Sequence, residues 1–306
     1  EARKVLLEEA IATPILIGRP QVIAARCERF GLKIRPGSEF EVVDPAADPR
    51  YNDYVQTYLG KVGRKGVTPD GAKTIVRSNT TVIGAVALER GDADALICGL
   101  AGGFERHRKV VSDVVGFDSP DMDFSTVSLL ISQNGAWFLT DTYVTPDPTC
   151  EEIAHATILA ARHIRRFGLE PKAALLSASN FGSRDLPSAR KMRKALDLVR
   201  TLDPVLEIDG EMHGDAALVR TIRERVMPDT TLKSDANLLV FPSLDAANIA
   251  LNLIKAMTDA LHVGPILLGA AKPAHILTPS VTSRGVVNMS TLAAVEALSR
   301  KRGDFG

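Results

Sequence analysis

A lysine, a histidine and a serine–arginine pair fall within KPAHILTPSVTSRG (272–285), directly after the apolar run GPILLGAA. Cationic donors beside a hydroxyl could clamp an anion through charge-assisted hydrogen bonds. The same Ser283 and Arg284 stand where a helix should begin, so they serve equally well as its opening residues. Four other loops carry residues of comparable promise. In GRKGVTPDGAKTIVR (63–77), glycines, basic side chains and Thr68 precede a helix, which suits either a phosphate cradle or a solvated turn. The GxxxxGK[ST] spacing is absent. In ICGLAGGFERHRK (97–109), a strand, a glycine-rich turn and a helix rich in Arg106, His107, Arg108 and Lys109 follow one another. That order suits an anion site, although the dinucleotide fingerprint GxGxxG is missing.

The third loop is LLSASNFGSRDLPSARKMRKAL (175–196), where a strand empties into Ser177, Ser179, Asn180, Gly182 and Ser183 ahead of a helix bearing Arg190, Lys191, Arg193 and Lys194. Open α/β sheets bind ligands at such strand ends. In the plainer reading, Asn180 and Ser183 form a turn and the basic residues a solvated face. The fourth, EIDGEMHGDAAL (207–218), places Asp209, Glu211 and His213 on one face of a strand, provided the chain stays extended through Gly210 and Gly214. A strand-to-helix turn capped by Asp215 is the favoured reading, and no metal site is expected.

These loops need a frame to hold them. Apolar runs at 14–18, 93–99, 136–141, 172–178, 237–242 and 264–269 read as buried strands. Segments 71–90, 149–167, 187–202, 214–226 and 244–262 repeat apolar residues at helical spacing. The alternation predicts an α/β fold with largely parallel sheets. TYVTPDPT (142–149) breaks the pattern with two prolines, and Thr149 then caps a helix with Glu151 and Glu152 in its first turn, so a domain junction is placed there. The 306 residues include 45% hydrophobic ones, enough for one large core or two ordinary ones. Thirty-seven basic residues balance 37 acidic ones, so no overall field recruits nucleic acid or an anionic membrane. Cys27, Cys98 and Cys150 have no metal or redox spacing and fit buried thiols in a reducing cytoplasm. No apolar run approaches the roughly 20 residues that span a bilayer. The chain opens at Glu1 already inside a helical pattern, as a piece of a longer protein would.

Taken together, ADALICGLAGG, FLTDTYVTPDPTCEEIA, ALLSASNFGS, EIDGEMHGDAAL, NLLVFPSLDAANIALNLIK and GPILLGAAKP resemble, in order and spacing, the phosphate acetyltransferase family over essentially the whole chain. SNFGS, DGEMHGDAALV, KPAHILTP and VVNM are closer still to the C-terminal phosphotransacetylase-like domain of bacterial hybrid malic enzymes. The resemblance implies two α/β/α domains, each with a largely parallel sheet, and an interdomain cleft, within the isocitrate and isopropylmalate dehydrogenase-like superfold. The domains are drawn as 1–148 plus 278–306, and 149–277 carrying the dimer interface. It further implies acetyl-CoA or CoA as ligand, self-association as dimers and hexamers, and malic enzyme domains in cis. Those domains would hold NAD or NADP and a divalent metal and decarboxylate malate oxidatively to pyruvate.

Active family members resemble KPVNDLSRG, in which Arg binds the acyl phosphate, Ser assists, and an Asp six residues past the Arg takes the thiol proton. That chemistry needs a cation and a carboxylate. Aligned without gaps from KP, this chain places Thr278, Pro279 and Gly285 at those positions. The ungapped register continues into VVNMSTLAAVEAL, so Ser283 reads as the cap of the last helix, with Arg284 in its first turn. GLAGGFERHRK lacks the family's HTTAD-type run, and His213 stands where active enzymes usually read DGELQ. The expectation is a regulatory module that retains acetyl-CoA binding through Asn180, Gly182, Ser183, Lys272, His275 and Thr278, with Arg190 and Arg193 for the phosphates and with no catalytic residue. An active phosphate acetyltransferase and a purely structural oligomerisation domain are the alternatives.

Overall fold

Runs such as LIC, KAALL and LLV are too short and too apolar to stand alone, so they bury themselves by pairing side by side under helices. The computed structural model describes residues 5, 6, 8–31, 40–119 and 123–303. The helical pattern expected from Glu1 falls largely outside them. Two compact units form: Ser119–Gly269 is one, and the described residues up to Asp118 join those from Ala270 onward in the other.

The first unit holds β1 (Ile15–Ile17), α1 (Pro20–Arg29), β2 (Glu41–Val43), α2 (Tyr51–Val62), α3 (Pro69–Ser78), α4 (Thr80–Arg90), β3 (Leu96–Cys98) and α5 (Phe104–Val114). Its described strands make two parallel pairs, β1–β2 and β3 with the returning β10 (Ala274–Ile276), in place of one continuous sheet. Helix α4 is buried along most of its length. Gly84 lets it press close, since a Cβ there would lie 2.7 Å from the Leu96 side chain and 3.2 Å from that of Ile17. One helix therefore covers both pairs. The segment 71–90, expected as one helix, is two: Asn79 turns extended and its Oδ1 accepts from Thr81 N and Val82 N, capping α4.

The second unit holds β4 (Ser125–Ser132), β5 (Gly135–Thr140), α6 (Cys150–Arg166), β6 (Lys172–Leu176), α7 (Pro187–Leu202), β7 (Glu207–Met212), α8 (Gly214–Leu218), α9 (Arg220–Val226), β8 (Leu238–Val240), α10 (Leu244–Met257) and β9 (Leu261–Leu268). Its sheet runs β7-β6-β8-β5-β4-β9, antiparallel only where β4 meets β5 and β9. Strand alternation divides the core. Leu139, Leu239 and Ala174 join Ala216, Ala217 and Leu251 on one face, while Phe138 points the other way, its ring 5.8 Å from that of Phe167 at the end of α6. Helices α6 and α7 thus cover one face and α8 to α10 the other. Thr149 and Glu152 form the capping box that starts α6, as its sequence predicts.

The division at TYVTPDPT needs correction. Residues 125–140 were expected in the first domain, yet they supply the central hairpin of the second unit's sheet, because β4 and β5 need β9 and β8 to satisfy their backbone groups. At the other end β10 pairs with β3, so the chain returns to the first unit at Ala270 and not at 278. It closes with α11 (Ser283–Arg302), and no described helix is long and apolar enough to cross a membrane.

The loop after α9 rests on one side chain. Arg223 is fully buried, and its guanidinium donates to the carbonyls of Ala216 (2.9 Å), Leu232 (3.0 Å) and Ser234 (2.7 Å). Burial pushes its pKa below the ordinary arginine value, against the pull of nearby carboxylates such as Asp235 and Asp209. Replacing Arg223 with Met strands three buried carbonyls and should cost about 3 kcal/mol in urea denaturation. An unchanged midpoint would show that the loop does not depend on it.

Candidate functional site

The carboxyl ends of β6 and β7 carry a dense polar cluster. Glu211 is wholly buried on β7, where a charge must find partners. Its Oε1 accepts from Ser179 Oγ at 2.7 Å, from the Gly182 amide at 2.9 Å and from Arg193 Nη1 at 2.9 Å. Its Oε2 has no hydrogen-bond partner. The main-chain carbonyl of Glu211 also accepts from the Phe181 amide at 2.7 Å. Phe181 takes φ = 46°, a strained value for a side-chain-bearing residue, while its ring packs against the core.

Around that carboxylate the loop closes on itself. Asn180 Oδ1 accepts from the His213 amide at 2.7 Å, and the Asn180 amide donates to Ser183 Oγ at 2.9 Å. Asn180, Gly182, Ser183 and Arg193 are therefore brought together, with Gly182 and Ser183 exposed. Arg193 is only partly available, because Glu211 holds one of its nitrogens. Arg190 stands in solvent, paired at 2.7 Å with the exposed Asp185. The exposed Arg184 completes a loop able to meet an anion with guanidinium groups at the start of α7.

The other three expected ligand residues belong to the first unit, and two of them are occupied. Lys272 Nζ donates to the carbonyls of Glu89 (2.6 Å) and Leu88 (3.3 Å) and pairs with Glu89 Oε2 at 3.1 Å. It closes the carboxyl end of α4, where a cation is favoured. His275 is 1% exposed, with Nε2 3.1 Å from Glu296 Oε2 on α11. Both act as internal ties within the first unit. Thr278 is half-buried, its hydroxyl 3.0 Å from Ser280 Oγ. It follows a tight crossing: Leu277 N donates to the Cys98 carbonyl, and a Cβ on Gly99 (φ +96) would lie 2.1 Å from the Leu277 carbonyl oxygen. Only glycine fits there.

Most remaining candidates take their plainer roles. Thr68 caps α3, and Lys65 pairs with Asp113. His107 is buried, Nδ1 2.9 Å from Thr81 Oγ1 and Nε2 2.8 Å from the Ala101 carbonyl, so it ties the glycine-rich turn to α4. Arg108 and Lys109 pair within their own helix with Glu105 and Asp113. Burial pushes the Cys98 thiol up to about 12, far from thiolate chemistry. Asp215 lies inside the first turn of α8 and caps nothing beyond its neighbour, while His213 occupies the cap position. The last helix is capped by Thr282, whose hydroxyl accepts from Gly285 N, which leaves Ser283 as its first residue and Arg284 exposed.

Sequence reasoning missed Glu211 and Ser179 as the centre of the cluster. The available signal was a carboxylate one residue before the end of a parallel strand, where burial requires that it be paired. Glu211→Ala should leave Arg193 and Ser179 without their partner and cost about 3 kcal/mol in denaturant unfolding, with faster amide exchange at Gly182. Retained protection at Gly182 would refute the hub role. Lys272→Ala should cost about 1 kcal/mol through loss of the helix end, and an unchanged melting temperature would refute the tie.

Residues 1–294 match the model of the phosphate acetyl/butaryl transferase family. The NAD-dependent malic enzyme of Rhizobium meliloti is 64% identical over 296 residues, which is 97% of this chain and 38% of that protein. The NADP-dependent malic enzyme of Escherichia coli is 48% identical over 97% of this chain and 39% of its own length. The phosphate acetyltransferase of Thermoanaerobacterium thermosaccharolyticum is 30% identical over 97% of this chain and 91% of its own length. Among solved structures, the EutD phosphotransacetylase of Staphylococcus aureus superposes with TM-score 0.84 at 27% identity, covering 97% of this chain and 89% of that one. A phosphotransacetylase of Streptococcus pyogenes shares the fold with TM-score 0.88 at 24% identity, covering 97% and 90%. The chain thus spans less than two fifths of these malic enzymes but nearly all of the Thermoanaerobacterium acetyltransferase. It belongs to the phosphate acetyl/butaryl transferase family, in the form that makes up the phosphotransacetylase-like portion of malic enzymes.

Proposed function

We propose that this chain is a regulatory binding unit: it takes acetyl-CoA or CoA without transferring the acetyl group, and the binding adjusts malic enzyme domains carried in the same protein. The observation that carries this reading is the residue set in the KP register. Thr278, Pro279 and Gly285 offer neither the guanidinium that would neutralise a phosphoryl group nor the carboxylate that would take the thiol proton. Their surroundings support it. Ser283 and Arg284, the pair that a slipped register would supply, are the first two residues of α11. Lys272 is held at the end of α4.

The loop after β6 keeps the features a CoA phosphate needs, with exposed Arg184 and Arg190 at the amino end of α7. Regulation requires only that acetyl-CoA favour one state of the larger protein over another, and a coupling of about 1–3 kcal/mol suffices. The remaining domains would hold NAD or NADP and a divalent metal and oxidatively decarboxylate malate to pyruvate, in a protein assembled through the second unit as dimers and hexamers. Acetyl-CoA would then report downstream abundance to an enzyme that makes pyruvate.

The relation to a free-standing acetyltransferase over nearly its full length favours one other reading, an active phosphate acetyltransferase with displaced catalytic groups. Two measurements on this chain separate them. Calorimetric titration with acetyl-CoA should show saturable binding, and CoA with acetyl phosphate should yield acetyl-CoA no faster than without protein. Turnover above that background would replace the regulatory reading with the enzymatic one, and absence of binding would leave a structural role.

A further inference from the structure

The carboxyl edge of the second unit's sheet is polarised in charge. After β6 it carries Arg184, Arg190 and Arg193, but three strands along, where β8, β5 and the start of β4 end side by side, lies a cavity of about 40 Å³. No lysine or arginine lines it, whereas Asp123, Asp141 and Glu152 do. Its inner surface is Ser125, 4% exposed, whose Oγ has no hydrogen-bond partner, and its walls include Phe124, Ile153 and Phe241. Asp141 is already engaged, accepting from Thr126, Tyr143, Val144 and Thr145, and Glu152 accepts from the Thr149 amide.

A buried hydroxyl without a partner costs free energy unless something supplies one, and a cavity of this size admits a small polar group or a few waters. The carboxylates repel anions, so a phosphate does not belong here. The geometry points to a subsite for the uncharged, amide-bearing pantetheine arm of an acyl-CoA, with Ser125 hydrogen-bonding the amide nearest its sulfur and the phosphates kept at the arginines after β6. This assignment rests on the acetyl-CoA reading given above. The dimensions agree. From β6 past β8 and β5 to β4 is three strand spacings, about 14 Å. An extended pantetheine arm matches four to five residues of chain, about 15 Å.

The test uses pantetheine, the neutral arm alone, and adenosine 3′,5′-bisphosphate, the charged half alone, titrated alongside acetyl-CoA. Ser125→Ala should weaken pantetheine and acetyl-CoA about fivefold, leave adenosine 3′,5′-bisphosphate within about twofold, and not lower the melting temperature of the free protein, because the hydroxyl has no partner to lose. Ala156→Met, which narrows the cavity from α6, should weaken the same two ligands. Pantetheine that fails to bind, or binds both variants as it binds the unaltered chain, overturns the subsite. Acetyl-CoA that binds the chain and both variants alike removes the subsite and leaves the regulatory reading intact. Acetyl-CoA that does not bind the unaltered chain removes the regulatory reading itself.

Discussion

A carboxylate with no exposure to water organises the carboxyl edge of the second unit's sheet. Burying Glu211 is costly unless donors surround it, and a hydroxyl, an amide and a guanidinium converge on one of its oxygens. Those donors come from Ser179, Gly182 and Arg193, so the requirement to satisfy one charge fixes the loop after β6 and the first turns of α7 together. Phe181 holds its strained backbone because its amide and its ring are both anchored on the same side of that loop. The exposed Gly182, Ser183 and Arg190 are then presented on a rigid base.

The same economy of donors explains why Lys272 and His275 are held as internal ties. The carbonyls at the end of α4 need a cation, and the sheet pair β3–β10 needs α11 held against it. Lys272 and His275 meet those needs. What lies at the KP register is therefore a structural join between the returning chain and the first unit, with Thr278 just beyond the Gly99 crossing.

Much of the frame was legible in the sequence. Six apolar runs became strands, and the capping box at Thr149, the proline entry at Pro187 and the helices that follow lie where their periodicity places them. The β4–β5 hairpin assignment to the second unit was not legible, since TYVTPDPT has every local mark of a linker. Asn79 was another ambiguous point, because one polar residue inside a helical period is tolerated as readily as it breaks the helix.

Residue types and spacing by themselves determined the α/β class and the family resemblance, because these depend on local periodicity and on which side chains are present at all. Only the tertiary structure decided which charges remain available. The sequence offered Lys272 and His275 for the ligand, with Arg190 and Arg193 for its phosphates. Folding engaged Arg193 with Glu211, Lys272 with α4 and His275 with Glu296, and left Arg190 in solvent. The reason is physical: a buried carbonyl or carboxylate takes the nearest donor that the fold supplies, and that donor lies up to 184 residues away along the chain.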